Sequence, residues 1–105
     1  MNLNAYTIFD SAPAVYNRPF FAQSDAEALR FFDDMAVNAE HPIGQHPEHY
    51  TLFRTGTFDQ NTGKLTAEEP TSLATATARA AAQQKIQPGQ LNDDNILELS
   101  AGGTD

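Results

Sequence analysis

Residues 24–39, SDAEALRFFDDMAVNA, constrain the fold more than any other part of the chain. Ser24 can accept a hydrogen bond from the amide of Glu27, and the Glu27 carboxylate can reach back to the Ser24 amide, which is the pattern of a capped helix start. Asp25 adds negative charge at the positive end of the helix dipole. The segment therefore predicts a helix from about residue 25 to residue 39.

Apolar residues recur along this helix at spacings of three and four, which places them on one face. That face is expected to be the main helical contribution to the core. Four of its side chains are expected to be largely buried: Ala28, Phe31, Phe32 and Met35. Four polar side chains are expected to face mostly water: Arg30, Asp33, Asp34 and Asn38.

Short extended segments surround the helix. Residues 3–10 end at a Ser-Ala-Pro turn and predict a strand, and residues 15–22 are expected to pair back with it. Because Pro19 has no N–H to donate, the second segment is expected at a sheet edge or as an extended lead-in. After a loop at residues 40–48, the pattern predicts a second strand pair.

The second pair consists of residues 50–58 and 64–68, and a bulge at Gly56 would reconcile the apolar positions of its first strand. Between the two strands, the D-x-N-x-G spacing of residues 59–63 raises the possibility of a calcium loop. An EF-hand loop counted from Asp59 requires Gly at position six and Glu at position twelve, where this chain has Lys64 and Pro70. The segment is therefore interpreted as a hairpin turn with no required ion.

These elements predict an α+β fold in which a small antiparallel sheet is packed by one main helix. We predict the domain at residues 1–70, an alanine-rich marginal helix at 71–86 and a flexible acidic tail at 87–105. Within the tail, the cluster NILEL at residues 95–99 is interpreted as either an extra strand or a recognition segment. A sheet this small leaves open edges, so a homodimer formed through an edge is a further hypothesis.

Composition limits the classes of function. The chain has 105 residues, no cysteine, and fourteen acidic against six basic side chains, giving a formal charge of −8. Thiolate chemistry is excluded, and the acidic balance opposes non-specific nucleic-acid binding. The sequence shows neither a membrane-spanning run nor a signal peptide at its start, so we expect a protein of the cytosol.

A histidine-rich loop is the other candidate for chemistry, with three imidazoles and two carboxylates: His41, His46, His49, Glu40 and Glu48. Pro47 interrupts the spacing, and the helical H-E-x-x-H arrangement is absent. No nucleophile, phosphate loop or paired acid is evident. We expect no catalytic residues, no metal and no cofactor.

Aromatic side chains interleaved with cations suggest a different activity, because single-stranded DNA can be bound by aromatic faces together with a few basic groups. Tyr16 and Arg18 lie in one such stretch, and Tyr50 and Arg54 lie in another. With Lys64, these residues form the candidate nucleic-acid-binding set. The alternative interpretation is that the aromatic side chains belong to the core.

The stretches RPFFAQSDAEALRFFDD and HPEHYTLFRTGTFDQNTGKL resemble the small non-structural protein of gokushovirus-type microviruses, which are phages with single-stranded DNA genomes. The resemblance covers roughly residues 3–70. It implies an accessory protein of the host bacterial cytoplasm, absent from the virion, that acts in synthesis or packaging of the genome. It transfers no catalytic residue.

Two hypotheses for function follow. In the first, the protein binds single-stranded DNA during genome production. In the second, it is an interaction module that docks on the phage replication initiator, the procapsid or a host factor without touching DNA. The acidic balance favours the second, and the resemblance favours the first.

Overall fold

The computed structural model describes residues 1–85, which form a curled antiparallel sheet with helices packed on one side. The elements, in chain order, are β1 (Asn2–Asp10), β2 (Val15–Tyr16), β3 (Phe20–Ala22), α1 (Asp25–Ala36), α2 (Pro42–Gln45), a 3-10 turn (Pro47–His49), β4 (Tyr50–Asp59), β5 (Leu65–Thr75) and α3 (Ala76–Lys85). The predicted α+β class is confirmed. The predicted tail at residues 87–105, including NILEL, lies outside the described residues.

The sheet has the strand order β2-β1-β4-β5, and β3 also pairs with β1. β1 and β4 pair along their whole length, from Asn2 opposite Asp59 to Asp10 opposite Tyr50. On the other side of β1, β2 and β3 occupy opposite ends. The segment predicted to pair back with β1 does so in two pieces, interrupted at residues 17–19, which include Pro19, whose missing N–H cannot join a ladder.

A bulge in β4 changes the face of the sheet on which the following residues of this strand lie. Ala5 lies opposite Gly56, and Tyr6 lies opposite Arg54, so Thr55 is the extra residue. A Cβ at position 56 would lie 2.3 Å from the carbonyl oxygen of Thr66 on β5, so the approach of β5 requires glycine here. The predicted irregularity next to Gly56 is present, and it places Phe53 and Phe58 on one face.

α1 begins as predicted, with Ser24 as its N-cap and the Ser24 hydroxyl accepting from the Glu27 amide at 3.2 Å. The Glu27 carboxylate instead accepts from the amide of Gln23 at 2.6 Å, one residue before the predicted donor. The helix ends at Ala36 and not at residue 39. The Tyr6 hydroxyl donates to Asp25 at 2.7 Å, which fixes the start of the helix over β1.

The core lies between the sheet and the helices. Its buried members are Tyr6, Ile8, Ala22, Ala28, Phe32, Ala36, Ile43, Leu52 and Ala76. Ala28 and Phe32 are buried as predicted, and Met35 is partly buried against this cluster. The prediction for Phe31 is wrong, because this side chain is 51% exposed. It lies at the margin of the helix face, where it contacts Phe20 with ring centroids 5.1 Å apart.

Asp33 also differs from the prediction, because it is buried rather than turned to water. Its carboxylate accepts from Arg79 Nε at 2.7 Å, Arg79 Nη2 at 2.8 Å and Gln83 Nε2 at 3.1 Å. The bidentate pair raises the pKa of Arg79, with its hydrogen bond to Asp33 as the main cause. Asp33 thus ties α3 to α1, since a buried carboxylate requires such partners.

Two other segments differ from the expected boundaries. Residues 40–48 were predicted as a loop but contain α2 and most of the 3-10 turn, each of which has proline in its first turn, a position where the missing N–H carries no penalty. β5 was predicted to end near residue 68 but continues to Thr75, through the predicted domain boundary at residue 70. Pro70 is tolerated because β5 is the edge of the sheet.

The free edge of β5 is poorly suited to pairing with a copy of itself. Its centre carries Glu68 and Glu69, which would repel their counterparts, and Pro70, which has no N–H. Homodimerisation through an edge stays a prediction. Among the helices of residues 1–85, none has the length and apolar character that a membrane span requires.

Candidate nucleic-acid interface

The two faces of the sheet have different surroundings. The helices pack against one face, which carries Tyr6, Ile8 and Leu52. By strand register, the opposite face carries alternate residues of β1 together with their partners on the neighbouring strands: Leu3, Ala5, Thr7, Phe9, Tyr16, Phe21, Phe53, Gly56, Phe58, Leu65 and Ala67. None of these belongs to the buried core cluster or to the side chains packed against it. We call this surface the open face.

A first aromatic cluster occupies one end of the open face. The ring centroids of Phe9 and Tyr16 lie 4.8 Å apart, those of Tyr16 and Phe53 lie 5.4 Å apart, and those of Phe9 and Phe53 lie 6.4 Å apart. Tyr16 is 50% exposed, so part of its ring surface is free to stack on a ligand. The contacts hold the three rings in place, since tilted and edge-on pairs at these distances attract.

A second aromatic cluster lies toward the other end. Phe21 and Phe58 have ring centroids 5.6 Å apart, and Leu65 is exposed beside them in register with Phe58. These residues come from three separate strands, which the sheet brings together. The open face therefore presents two aromatic platforms.

Two adjoining clefts connect the platforms. One, of about 300 Å³, is lined by Thr7, Tyr16, Asn17, Pro19, Thr55 and Pro70. The other, of about 160 Å³, is lined by Ala5, Pro19, Phe21, Thr55, Gly56, Leu65, Thr66 and Ala67. Pro19 and Thr55 line both clefts, so the clefts are adjacent, with Tyr16 lining one and Phe21 lining the other. Its wall is fixed at Thr7, whose buried hydroxyl donates to the carbonyl of Asn17 at 2.6 Å.

Charge is distributed unevenly between the two sides of the sheet. Residues 1–85 contain ten acidic and six basic side chains. Six of the acids lie in the segment that forms α1, α2 and the 3-10 turn: Asp25, Glu27, Asp33, Asp34, Glu40 and Glu48. Arg18 is exposed between two residues that line the larger cleft, and Lys64 is exposed beside Leu65. The open face thus has basic groups at its margins and most acids on the far side.

The five residues predicted as a nucleic-acid site fall into two groups. Tyr16, Arg18 and Lys64 lie on or beside the open face. Tyr50 and Arg54 are on the helix-covered face by register. Tyr50 packs against the core, and burial followed by the charge of Asp10 raises its pKa. Arg54 lies 3.7 Å from the Glu68 carboxylate across the strand pair.

Sequence reasoning did not select Phe9 and Phe58 for this surface. Phe9 follows the buried Ile8 in β1, so the alternation of a strand places it on the opposite face, and this pattern is visible in the sequence. Phe58 is different, because the bulge at Thr55 moves it to the opposite face from the one that simple alternation from Leu52 gives. The site depends on pairing that a single strand does not reveal.

The D-x-N-x-G segment forms the turn between β4 and β5. The Asp59 carboxylate accepts from the amides of Asn61 at 2.8 Å and Thr62 at 3.3 Å, and the Asn61 bond is the main cause that lowers the pKa of Asp59. Gly63 has φ +76° and closes the turn in the left-handed region. The D-x-N-x-G spacing therefore forms the turn: the Asp59 carboxylate accepts from the turn amides, and Gly63 adopts the left-handed conformation.

The histidine-rich loop also has local structural contacts. His41 caps α2, its Nδ1 accepting from the Ile43 amide at 3.1 Å. The Glu48 carboxylate lies 3.8 Å from His46 and 3.7 Å from His49, at the surface. In the part of the chain that the structure covers, no group of three or more such side chains is arranged to hold a metal ion.

Comparison with known proteins gives one result. The sequence model of a protein family described as phage ORF5 protein matches residues 3–79 of the chain. The match covers β1 from Leu3 onward, the other four strands and the first four residues of α3. No curated protein and no solved structure matches the chain.

Proposed function

Because the chain belongs to the phage ORF5 protein family, we propose that it is an accessory protein acting in synthesis or packaging of a single-stranded DNA genome. Its activity in this proposal is binding, without catalysis, and the ligand is single-stranded DNA held on the open face. The proposal assigns the protein to a microvirus of gokushovirus type and to the host cytoplasm, in agreement with the resemblance of the RPFFAQSDAEALRFFDD and HPEHYTLFRTGTFDQNTGKL stretches.

The observation that carries the proposal is the pair of aromatic platforms joined by clefts on the open face. Stacking of a base on an aromatic side chain contributes about 1–3 kcal/mol and tolerates any base. Tyr16 and Phe21 are each about half exposed, so both offer a stacking surface. In this proposal the exposed Arg18 and Lys64 contact the phosphates of a strand that follows the clefts.

The acidic composition opposes DNA binding on the open face less strongly than the net charge suggests. Interactions between exposed charges are largely screened beyond about 8 Å at physiological ionic strength. Most acids of residues 1–85 lie on the helical side of the sheet. They repel a strand on the open face less than their number indicates, although few cations contribute and binding is expected to be sensitive to salt.

A fluorescence anisotropy titration with a short labelled oligothymidylate, at low and physiological salt, tests the proposal. Tyr16→Ala removes one stacking platform and is expected to weaken binding by about 5- to 150-fold, which corresponds to 1–3 kcal/mol. Arg18→Ala is expected to weaken binding and to reduce the slope of log K against log salt by about 0.7.

Two variants on the helical side provide matched controls. Phe31 is an aromatic residue as exposed as Tyr16, at 51% against 50%, and Arg30 is an exposed arginine of α1. Phe31→Ala and Arg30→Ala are expected to leave the affinity within about twofold, a difference of about 0.4 kcal/mol. Equal losses in the control and test variants would contradict a site on the open face.

The second candidate function is docking on the replication initiator, the procapsid or a host factor without contact to DNA. An apolar groove of about 280 Å³ between β3 and α1 favours it, lined by Phe20, Phe21, Ala22, Glu27 and Phe31. The exposed Phe31 in this groove is the kind of aromatic anchor that protein interfaces use. Absence of oligonucleotide binding at low salt would exclude the DNA-binding proposal and leave this candidate.

A further inference from the structure

The segment of residues 91–99, LNDDNILEL, is not used by the proposed function, although it is the most apolar part of the chain beyond α3. It combines four aliphatic side chains with three acids: Leu91, Ile96, Leu97, Leu99, Asp93, Asp94 and Glu98. We propose that this segment binds the open face of its own chain and competes there with single-stranded DNA. The inference rests on the proposed function for the identity of the competitor.

The segment and the open face are chemically complementary. The open face offers exposed apolar surface at Tyr16, Phe21 and Leu65, with Arg18 and Lys64 beside it. The aliphatic side chains of the segment suit the aromatic platforms, and its carboxylates suit the two cations. Residues 86–105 contain four acids and no Lys or Arg, so the segment resembles a DNA strand in carrying negative charge with groups that can contact aromatic rings.

The chain beyond α3 has the reach that this binding requires. α3 follows β5 directly and packs mainly on α1, where Arg79 and Gln83 bond Asp33, so the described residues end on the helical side of the sheet. The helix has ten residues and is therefore about 15 Å long. Ten residues lie between Lys85 and Ile96, so the eleven Cα–Cα steps of an extended chain, at up to about 3.6 Å each, span up to about 40 Å. This length is sufficient to pass around the β5 edge and reach the open face.

Attachment of the segment to the same chain makes even a weak contact effective. A segment attached by a short linker has an effective concentration in the millimolar range, so a contact too weak to form between free molecules still occupies the site. The apparent affinity for DNA is then reduced by the fraction of molecules in which the face is free.

The test uses the full chain and two charge-matched triple variants. The first, Asp93→Asn/Asp94→Asn/Glu98→Gln, neutralises the segment. The second, Asp34→Asn/Glu40→Gln/Glu48→Gln, removes the same charge from exposed positions on the helical side. In the anisotropy titration, we expect the first variant to bind the oligothymidylate about three- to tenfold more tightly than the second. This difference follows if the open face is unoccupied in only a minor fraction of the unsubstituted molecules. Equal affinities for the two variants would overturn the inference.

A second measurement needs no DNA and separates this inference from the proposed function. In amide NMR spectra of the free protein, Ile96→Ser/Leu97→Ser is expected to shift the resonances of Thr7, Tyr16 and Phe53 relative to the unsubstituted chain. Changes confined to the β5 edge would show that the segment adds a strand there, and absence of change would show no contact; either result overturns the inference. Shifts that depend on protein concentration would assign the occupant to a second copy and also overturn it. Shifts at the open face in a protein that binds no oligonucleotide would refute the DNA-binding function alone.

Discussion

Removal of the Arg79 side chain is expected to release α3 from the domain and to cost a large part of its stability. Asp33 is buried, with a side chain 12% exposed, and Arg79 supplies two of its three hydrogen bonds. In Arg79→Ala the carboxylate keeps only the Gln83 amide, at 3.1 Å. Breaking a fully buried ion pair costs about 3–5 kcal/mol. Because the Arg79 side chain is 32% exposed and water can partly replace it, we expect about 2–3 kcal/mol.

Urea unfolding followed by circular dichroism at pH 7 measures this cost. Arg79→Lys is expected to lose part of the same energy, because a single ammonium group cannot reproduce the bidentate geometry. Arg30→Ala is the matched control, since Arg30 is exposed on α1 near the same interface, and its effect is expected to stay within about 0.5 kcal/mol. The Asp33→Ala/Arg79→Ala cycle completes the test. Additive single effects, or a loss below about 0.5 kcal/mol in Arg79→Ala, would refute the assigned role of the pair.

Three further predictions concern the core and the sheet. Burial and the hydrogen bond to Asp25 raise the pKa of Tyr6 to about 12 from 10.0, so its contribution to stability is full below pH 10 and is lost as the pH rises to 12, by about 3 kcal/mol. Tyr6→Phe should flatten that part of the pH–stability profile, and an unchanged slope would contradict the assignment. Phe32→Ala should cost about 3–5 kcal/mol in urea unfolding while Phe31→Ala costs less than about 1 kcal/mol, and similar costs would contradict the burial difference. Gly56→Ala should lower the melting temperature and increase amide exchange in β5, because its Cβ meets the Thr66 carbonyl; retained stability and protection would count against the close β4–β5 approach.

The elements set by local signals were predictable from the sequence. The start of α1 follows from Ser24, whose hydroxyl caps the helix, and the burial of Phe32 follows from the apolar spacing. The turn between β4 and β5 follows from Asp59 and Gly63, whose side-chain and backbone preferences act within a few residues. Such features need no knowledge of distant contacts.

Features that depend on long-range pairing were not predictable in the same way. Asp33 has the spacing of a solvated position, and only α3, 46 residues later in the chain, gives it a partner. Phe31 and Phe32 are adjacent on the predicted apolar face of α1, yet Phe32 is buried in the core cluster and Phe31 is 51% exposed. The open face itself arises because the bulge at Thr55 brings Phe53 and Phe58 to one side. The irregularity near Gly56 could be predicted from the strand itself, but the neighbouring strands that complete the aromatic surface could not.

Amide NMR mapping during addition of a short oligothymidylate is the most direct test of whether single-stranded DNA binds to the open face. We predict progressive shifts at Thr7, Tyr16 and Phe53, which diminish as salt is raised, with much smaller changes along the solvent side of α1. Shifts centred on α1, or no shifts at low salt, would contradict it.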